Sequence, residues 1–349
     1  MQNTVQVTSA SRYRPALAWI AAAGAGWVFV LVMLGAFTTS IGAGMVYQDW
    51  PLSNGSLNPP GWLRNLSMFA EHSHRLSAGV MSAITLWLAA VLWRCEERRW
   101  LRRLAWYAVA LIVLQAAAGG LRVLLNPMEL TTVGSNLGQI FAMLHACLAQ
   151  TFVCVWLAIA AALSRPWIEG ASKGSFSAGH DLRQLGVLCC GLLSAQLAIA
   201  AVMRHSFAGL AIPTFPFMPE GGLLPKHWDF GIGINFAHRA MALVLSVALV
   251  GYVVAIWRNH ASGPGLKCLG LFVVLLLGVQ IDLGAAIIWS ARNPYTMTAH
   301  VVVGALISAT TFLLTWFIHR DRLEILEPHG VLRPLAQSSP TPMPFLTNG

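Results

Sequence analysis

Charge is what this chain has least of. Asp, Glu, Lys and Arg make up 10% of its 349 residues, against about 25% in a soluble domain. That scarcity excludes an ordinary water-soluble globule. Spaced cysteine pairs are missing too: Cys95, Cys147, Cys154, Cys189, Cys190 and Cys268 all lie in apolar stretches or at their ends. This argues against a structural disulfide or a cysteine-based zinc site. No cleavable signal pattern precedes the first apolar run, although Arg12 and Arg14 stand before it, so that run reads as a retained span. The net charge of +9 does not point to nucleic acid. The basic residues are scattered through short loops, a pattern of membrane orientation rather than a binding stripe.

Apolar sequence is what the chain has in abundance: 56% of residues are hydrophobic and mean hydropathy is +0.64. A bilayer-spanning helix needs about 20 apolar residues. Eight stretches qualify: 17–39, 73–93, 104–124, 139–163, 183–203, 235–257, 266–290 and 298–318. The expected fold is an all-α integral membrane protein. Residues 1–16 read as a cytoplasmic tail, 164–182 as a cytoplasmic linker, and 319–349, rich in Pro, Ser and Thr, as a disordered cytoplasmic tail.

With eight spans both termini share a side. Fifteen of the 22 Lys and Arg fall there, whereas Arg64, Arg122, Arg204, Lys226 and Arg292 fall opposite and Arg75 and Arg239 stand at helix starts. The excess places both termini in the cytoplasm, with the inner (plasma) membrane of a cell as the location. The two longest loops, Ser40–His72 and Arg204–Ile234, then face outward, where they serve as caps over a site or as interfacial anchors.

The two halves repeat. Gly44 with Trp50-Pro51 answers Gly209 with Phe215-Pro216, and Gln115 with Gly119 answers Gln280 with Gly284. His74-Arg75 answers His238-Arg239, Asn126-Pro127 answers Asn293-Pro294, and His145 answers His300. The repeat implies eight transmembrane helices arranged as two pseudo-twofold-related four-helix bundles, 17–163 and 183–318.

Histidine inside an apolar span is costly and marks function by default. His74 and His145 in one bundle, and His238 and His300 in the other, lie at similar depth. Each pair suits bis-histidine ligation of a heme iron, whereas two imidazoles underfill a zinc site. Arg75 and Arg239 suit heme propionates. One difference stands out: Glu71, three residues before His74, is Asn235 in the second half. A carboxylate on the face of His74 suggests chemistry in the N-terminal half and electron transfer in the C-terminal half; a helix-start carboxylate favoured by the dipole is the alternative. His72 points to the other face. Asp282 lies inside span seven without an acidic counterpart. His180, His205, His227, His260, His319 and His329 read as solvated or interfacial.

Glu71-x-x-His74-Arg75, with His145, His238 and His300 and the Gly42-Ala43-Gly44 to Asp49-Trp50-Pro51-Leu52 segment, resembles the heme A synthase family over residues 17–318. The resemblance implies oxidation of the C8 methyl of heme O to the formyl of heme A, the cofactor of terminal cytochrome oxidases. It implies that His74, His145 and Arg75 hold the substrate heme, that His238, His300 and Arg239 hold a resident heme b, and that Glu71 is the catalytic carboxylate. Heme O synthase, an electron acceptor and further copies of the chain become candidate partners, beside the lipid bilayer. Many bacterial members carry a cysteine pair in an outer loop. This chain has none in either long loop and looks more like the cysteine-free branch shared with mitochondria. A non-enzymatic diheme carrier or heme-handling assembly factor is the other function class the ligand set allows.

Overall fold

The computed structural model describes residues 13–130, 135–169 and 179–325. The expected termini at 1–12 and 326–349, His329, and most of the linker, 170–178, lie outside the described residues. Eight long helices are apolar enough to cross a membrane: α1 (Pro15–Ser40), α2 (Leu66–Cys95), α3 (Arg99–Leu124), α4 (Leu137–Leu163), α6 (His180–His205), α7 (Phe230–Arg258), α8 (Pro264–Trp289) and α9 (Pro294–Ile318). Two short helices, α5 (Arg165–Glu169) and α10 (Arg320–Ile325), cap the end where the termini lie. A two-residue antiparallel pair, β1 (Glu129–Leu130) with β2 (Ser135–Asn136), occupies the loop before α4.

Four of the helices start at the long-loop end, and all four are capped by a side chain. Asn65 accepts from Ser67 and Met68 N–H, Asn136 forms a capping box with Gln139, Asp229 accepts from Ile232 N–H, and Asn293 accepts from Tyr295 and Thr296 N–H. Each cap satisfies amides that a helix N-terminus leaves open and contributes about 1 kcal/mol. The helices starting at the other end, α1, α3, α6 and α8, have no side-chain cap bond. The capped helices are the ones that carry His74, His145, His238 and His300.

Caps also move the helix starts. α2 begins at Leu66, not at the apolar boundary at 73, and α7 at Phe230, not 235. His74, His145 and His238 are each the ninth residue of their helix and His300 the seventh, about 9–12 Å inside at 1.5 Å per residue. Glu71 therefore sits in the second turn of α2, away from the helix terminus.

The helices of the first half pack around one apolar core, built on Met81, Leu88, Leu92, Phe152 and Trp156; those of the second pack around another, built on Leu245, Leu249, Tyr252 and Leu314. α1 and α4 meet α9, and α4 meets α6, along the seam between them. Gln150 Nε2 donates across that seam to Ala305 O at 3.4 Å. Outward faces carry exposed Leu, Val, Phe and Trp, such as Leu243, Val247 and Leu275, as lipid contact requires.

At the terminal end α10 is stitched down. Arg183 pairs with Asp321 at 2.5 Å and Trp167 Nε1 donates to Glu324 at 2.6 Å. Composition assigns 319–349 to a loose tail, but residues 320–325 form a helix because these partners, distant in sequence, fix it.

Candidate functional site

The imidazoles of His74 and His145 face each other with ring centroids 6.4 Å apart, and those of His238 and His300 at 6.5 Å. The midpoint of such a separation lies about 3.2 Å from each centroid, the reach of a metal–nitrogen bond of ~2 Å plus the ring's own radius. Among the described residues no group of three or more His, Cys, Asp or Glu could hold a metal ion. Each pair thus offers two axial nitrogens and no further protein ligand, a donor set that fits an iron already held in a porphyrin plane and underfills a protein-only site.

The supporting contacts explain a match that the sequence shows without a reason. Gln115 and Gly119, one turn apart on α3, both face His145: Gln115 O accepts from Nδ1 at 3.0 Å, Gln115 Nε2 donates to His145 O at 2.9 Å, and a Cβ on Gly119 would stand 3.0 Å from Cε1. On α8, Gln280 and Gly284 face His300 from the matching positions, but the contact falls on the other nitrogen: Gln280 Nε2 lies 3.3 Å from the ring Nε2, Nδ1 is buried without a partner, and a Gly284 Cβ would stand 3.3 Å from Cε1. The glycine admits the ring and the glutamine orients it. A bond at Nδ1 leaves Nε2 of His145 free for a metal.

His74 and His238 are supported differently. A Cβ on Gly35 would come 2.8 Å from His74 Cε1, and the buried Nδ1 of His74 has no partner. His238 Nδ1 lies 3.1 Å from Gln196 Nε2, which also bonds His238 O at 3.1 Å. Neither Gly35 nor Gln196 belongs to a motif, so sequence reasoning passed over both.

Glu71, 4% exposed, is bound to the loop between α1 and α2. Its Oε2 accepts from Val46 N–H at 2.8 Å and Tyr47 N–H at 3.1 Å, and its Oε1 pairs with Arg75 at 2.6 Å. Arg75 reaches into the same loop, donating to the carbonyls of Tyr47 at 3.1 Å, Asp49 at 2.7 Å and Leu52, and lies over the Tyr47 ring. Both terminal nitrogens that would suit a propionate are thus engaged by the loop. In the second half Asn235 donates to Ala208 O and Gly209 O and accepts from Arg239 Nε; Arg239 Nη2 donates to Ile212 O at 2.9 Å. Arg239 Nη1 is buried without a partner and stays available.

His72 is buried and holds the loop rather than facing the pair, with Nδ1 2.9 Å from Ser53 Oγ and Nε2 3.2 Å from Leu57 O. Asp282 is exposed on α8.

Two matched pairs of facing, half-buried imidazoles in a helical membrane protein offer the donor set that a heme iron takes. This chain belongs to the cytochrome oxidase assembly protein family, whose model matches residues 2–126 and 63–312. It is similar to the heme A synthase of Geobacillus kaustophilus (strain HTA426), 24% identical over 88% of this chain and 94% of the relative. It is also similar to the heme A synthases of Shouchella clausii (strain KSM-K16), 27% identical over 83% and 92%, and Bacillus pumilus (strain SAFR-032), 27% over 86% and 95%.

Proposed function

We infer that the protein is a heme A synthase, a membrane oxidoreductase that converts the C8 methyl of heme O to the formyl of heme A. The observation that carries this reading is the pair of facing imidazole couples, 6.4 and 6.5 Å apart, in a chain that aligns with heme A synthases along most of its length. The substrate heme O sits between His74 and His145. His238 and His300 would hold a resident heme b through their imidazole nitrogens, and the unpartnered Nη1 of Arg239 would be free to take a propionate. A bound heme b supplies reversible one-electron chemistry, carrying electrons from the substrate toward an external acceptor. Both termini are cytoplasmic, in the plasma membrane, and the long loops face outward.

Glu71 is the catalytic carboxylate. Asn235 makes the corresponding loop latch with an amide, so latching alone does not call for a charge at position 71. A fixed negative charge beside the substrate suits stabilisation of positive charge as electrons leave the methyl carbon. Arg75 holds that carboxylate and the loop in place.

The test is to express the chain with a heme O source, extract the hemes and identify the formyl product by mass and pyridine hemochrome. Heme A appears with the wild type. Folded, heme-loaded protein that never yields heme A would sink the enzyme reading in favour of a diheme carrier.

A further inference from the structure

We infer that Arg122, with Arg204 beside it across the seam, forms the seat for the propionate carboxylates of the heme held by His74 and His145. The inference rests on the heme reading above and adds residues that lie outside the repeated motifs.

Arg122 stands in the last turn of α3, half-buried. A Cβ on Gly44 would overlap its guanidinium, so the first long loop is cut back to admit the group. Arg122 lies within electrostatic reach of Glu71, His74 and His145, and of Arg204 and His205 from the other half. Arg204 stands in the last turn of α6 and crosses the seam. Its Nη2 donates to Ala36 O at 3.0 Å and Ser40 Oγ at 2.8 Å on α1, where Thr298 of α9 also bonds Ser40 at 3.2 Å. Its Nε is buried without a partner.

Among the described residues neither Arg122 nor Arg204 forms an ion pair. Glu71 is already committed to Arg75 at 2.6 Å. Guanidinium groups withdrawn from water without a counter-ion are costly, and the arrangement persists because an anion completes it. A heme brings carboxylates, which guanidinium binds with two parallel hydrogen bonds. The repeat does not supply these cations twice: at the offset of 165, Arg122 corresponds to Ile287 and Arg204 to Thr39. Arg122 lies in reach of His74 and His145 and Arg204 in reach of His300, so Arg122 carries the seat of the N-terminal heme, in place of the occupied Arg75.

The experiment compares hemin with its dimethyl ester, which lacks the carboxylates. Full-length detergent-solubilised protein carrying His300→Ala, so that His74–His145 is the one intact pair, is titrated with each and followed by its Soret band. Hemin binds more tightly than the ester. Arg122→Gln weakens hemin about ten- to hundredfold while leaving ester affinity within about twofold, and Arg122→Lys recovers part of the loss. Arg204→Gln has a smaller effect of the same kind, and Gly44→Ala, which displaces the guanidinium without removing it, also lowers the preference for hemin. Equal weakening of both ligands by Arg122→Gln, or no preference in the parent, overturns the inference while the heme reading stands. A Soret response insensitive to His74→Ala would instead remove the heme reading itself.

Discussion

The two halves share a frame and differ in how tightly they hold its contents. In the C-terminal half both imidazoles are met by glutamine side chains, Gln196 at His238 and Gln280 at His300. In the N-terminal half His145 is tethered to a main-chain carbonyl and His74 packs on Gly35, with no side chain bonded to either ring; one imidazole in each half, His74 and His300, keeps a buried Nδ1 without a partner. At the same offset, Gln196 corresponds to Leu31 and Gly35 to Ala200. A ligand oriented by side chains suits a cofactor that stays. A looser one, beside a carboxylate, suits a substrate that enters and leaves. On the proposed assignment of a resident and a visiting heme, what distinguishes the halves is the supporting residues, since the facing histidines are the same.

The strongest way to break this comparison is to remove ligands one half at a time. His238→Ala or His300→Ala abolishes the resident low-spin heme signal in purified protein, whereas His74→Ala or His145→Ala retains it and loses turnover. The reverse pattern would mean that the halves are assigned the wrong way round.

Next in size is the position where the halves differ in charge. Glu71→Gln keeps groups able to bond the loop amides, as Asn235 bonds its loop, but removes the charge. Turnover falls about 10²- to 10³-fold with heme content unchanged. Asn235→Ala, which removes the amide that donates to Ala208 O and Gly209 O, leaves turnover within about threefold, because it loosens the loop of the half that lacks the carboxylate. A comparable loss from both substitutions would reduce Glu71 to a loop latch.

A smaller effect is expected from making the second half resemble the first. Gln196→Leu installs the residue found at position 31 and frees His238 Nδ1. Loss of an outer-shell bond of this kind lowers metal affinity about 10- to 100-fold, read as faster loss of heme to an apo-globin trap. Unchanged heme retention would show that the glutamine does not distinguish the halves.

Hydropathy located all eight helices, since a run of apolar residues long enough to cross a bilayer has few other uses. It placed the starts of α2, α3, α7 and α9 too late. The first turns of α2, α7 and α9, such as Asn65-Leu66-Ser67 and Asp229-Phe230, owe helicity to caps, and a cap carries no hydropathy; α3 opens on Arg99, Arg102 and Arg103, whose charges lower it. The histidine pairs were legible because the ligand type is specific and recurs at a fixed offset. The roles of Glu71 and Arg75 toward the loop were not, because their partners are main-chain groups at positions 46, 47, 49 and 52, and any residue type supplies those. Arg122 and Arg204 read in sequence as ordinary loop-end charges. Their partial withdrawal from water without an ion pair among the described residues, with the Nε of Arg204 buried and unpartnered, sets them apart.

The smallest expected effect separates the two long loops. Burial alone pushes the Asp49 carboxyl up, but hydrogen bonds from the N–H groups of Gly55 at 2.7 Å and Asn54 at 2.8 Å outweigh it and hold it below the ordinary value. At the offset of 165 its counterpart is Thr214, a neutral hydroxyl that donates to Phe217 O at 2.6 Å. A depressed carboxyl contributes stability that is full above its unfolded value, about 3.9, and is lost as pH falls through the lower folded value. Acid below about pH 4 therefore loosens the loop between α1 and α2 and spares the loop between α6 and α7. Hydrogen exchange at the amides of Asn54 and Gly55, corrected for the intrinsic rate, rises selectively as pH drops, and Asp49→Asn shows that faster exchange already at neutral pH. Since Asp49 sits on the same strand of loop whose carbonyl takes Arg75 at 2.7 Å, the loosened loop also weakens the clamp on Glu71. Turnover then falls modestly in Asp49→Asn, while substitution of Thr214 by Val leaves it unchanged. Equal acid sensitivity in both loops would remove Asp49 as the cause.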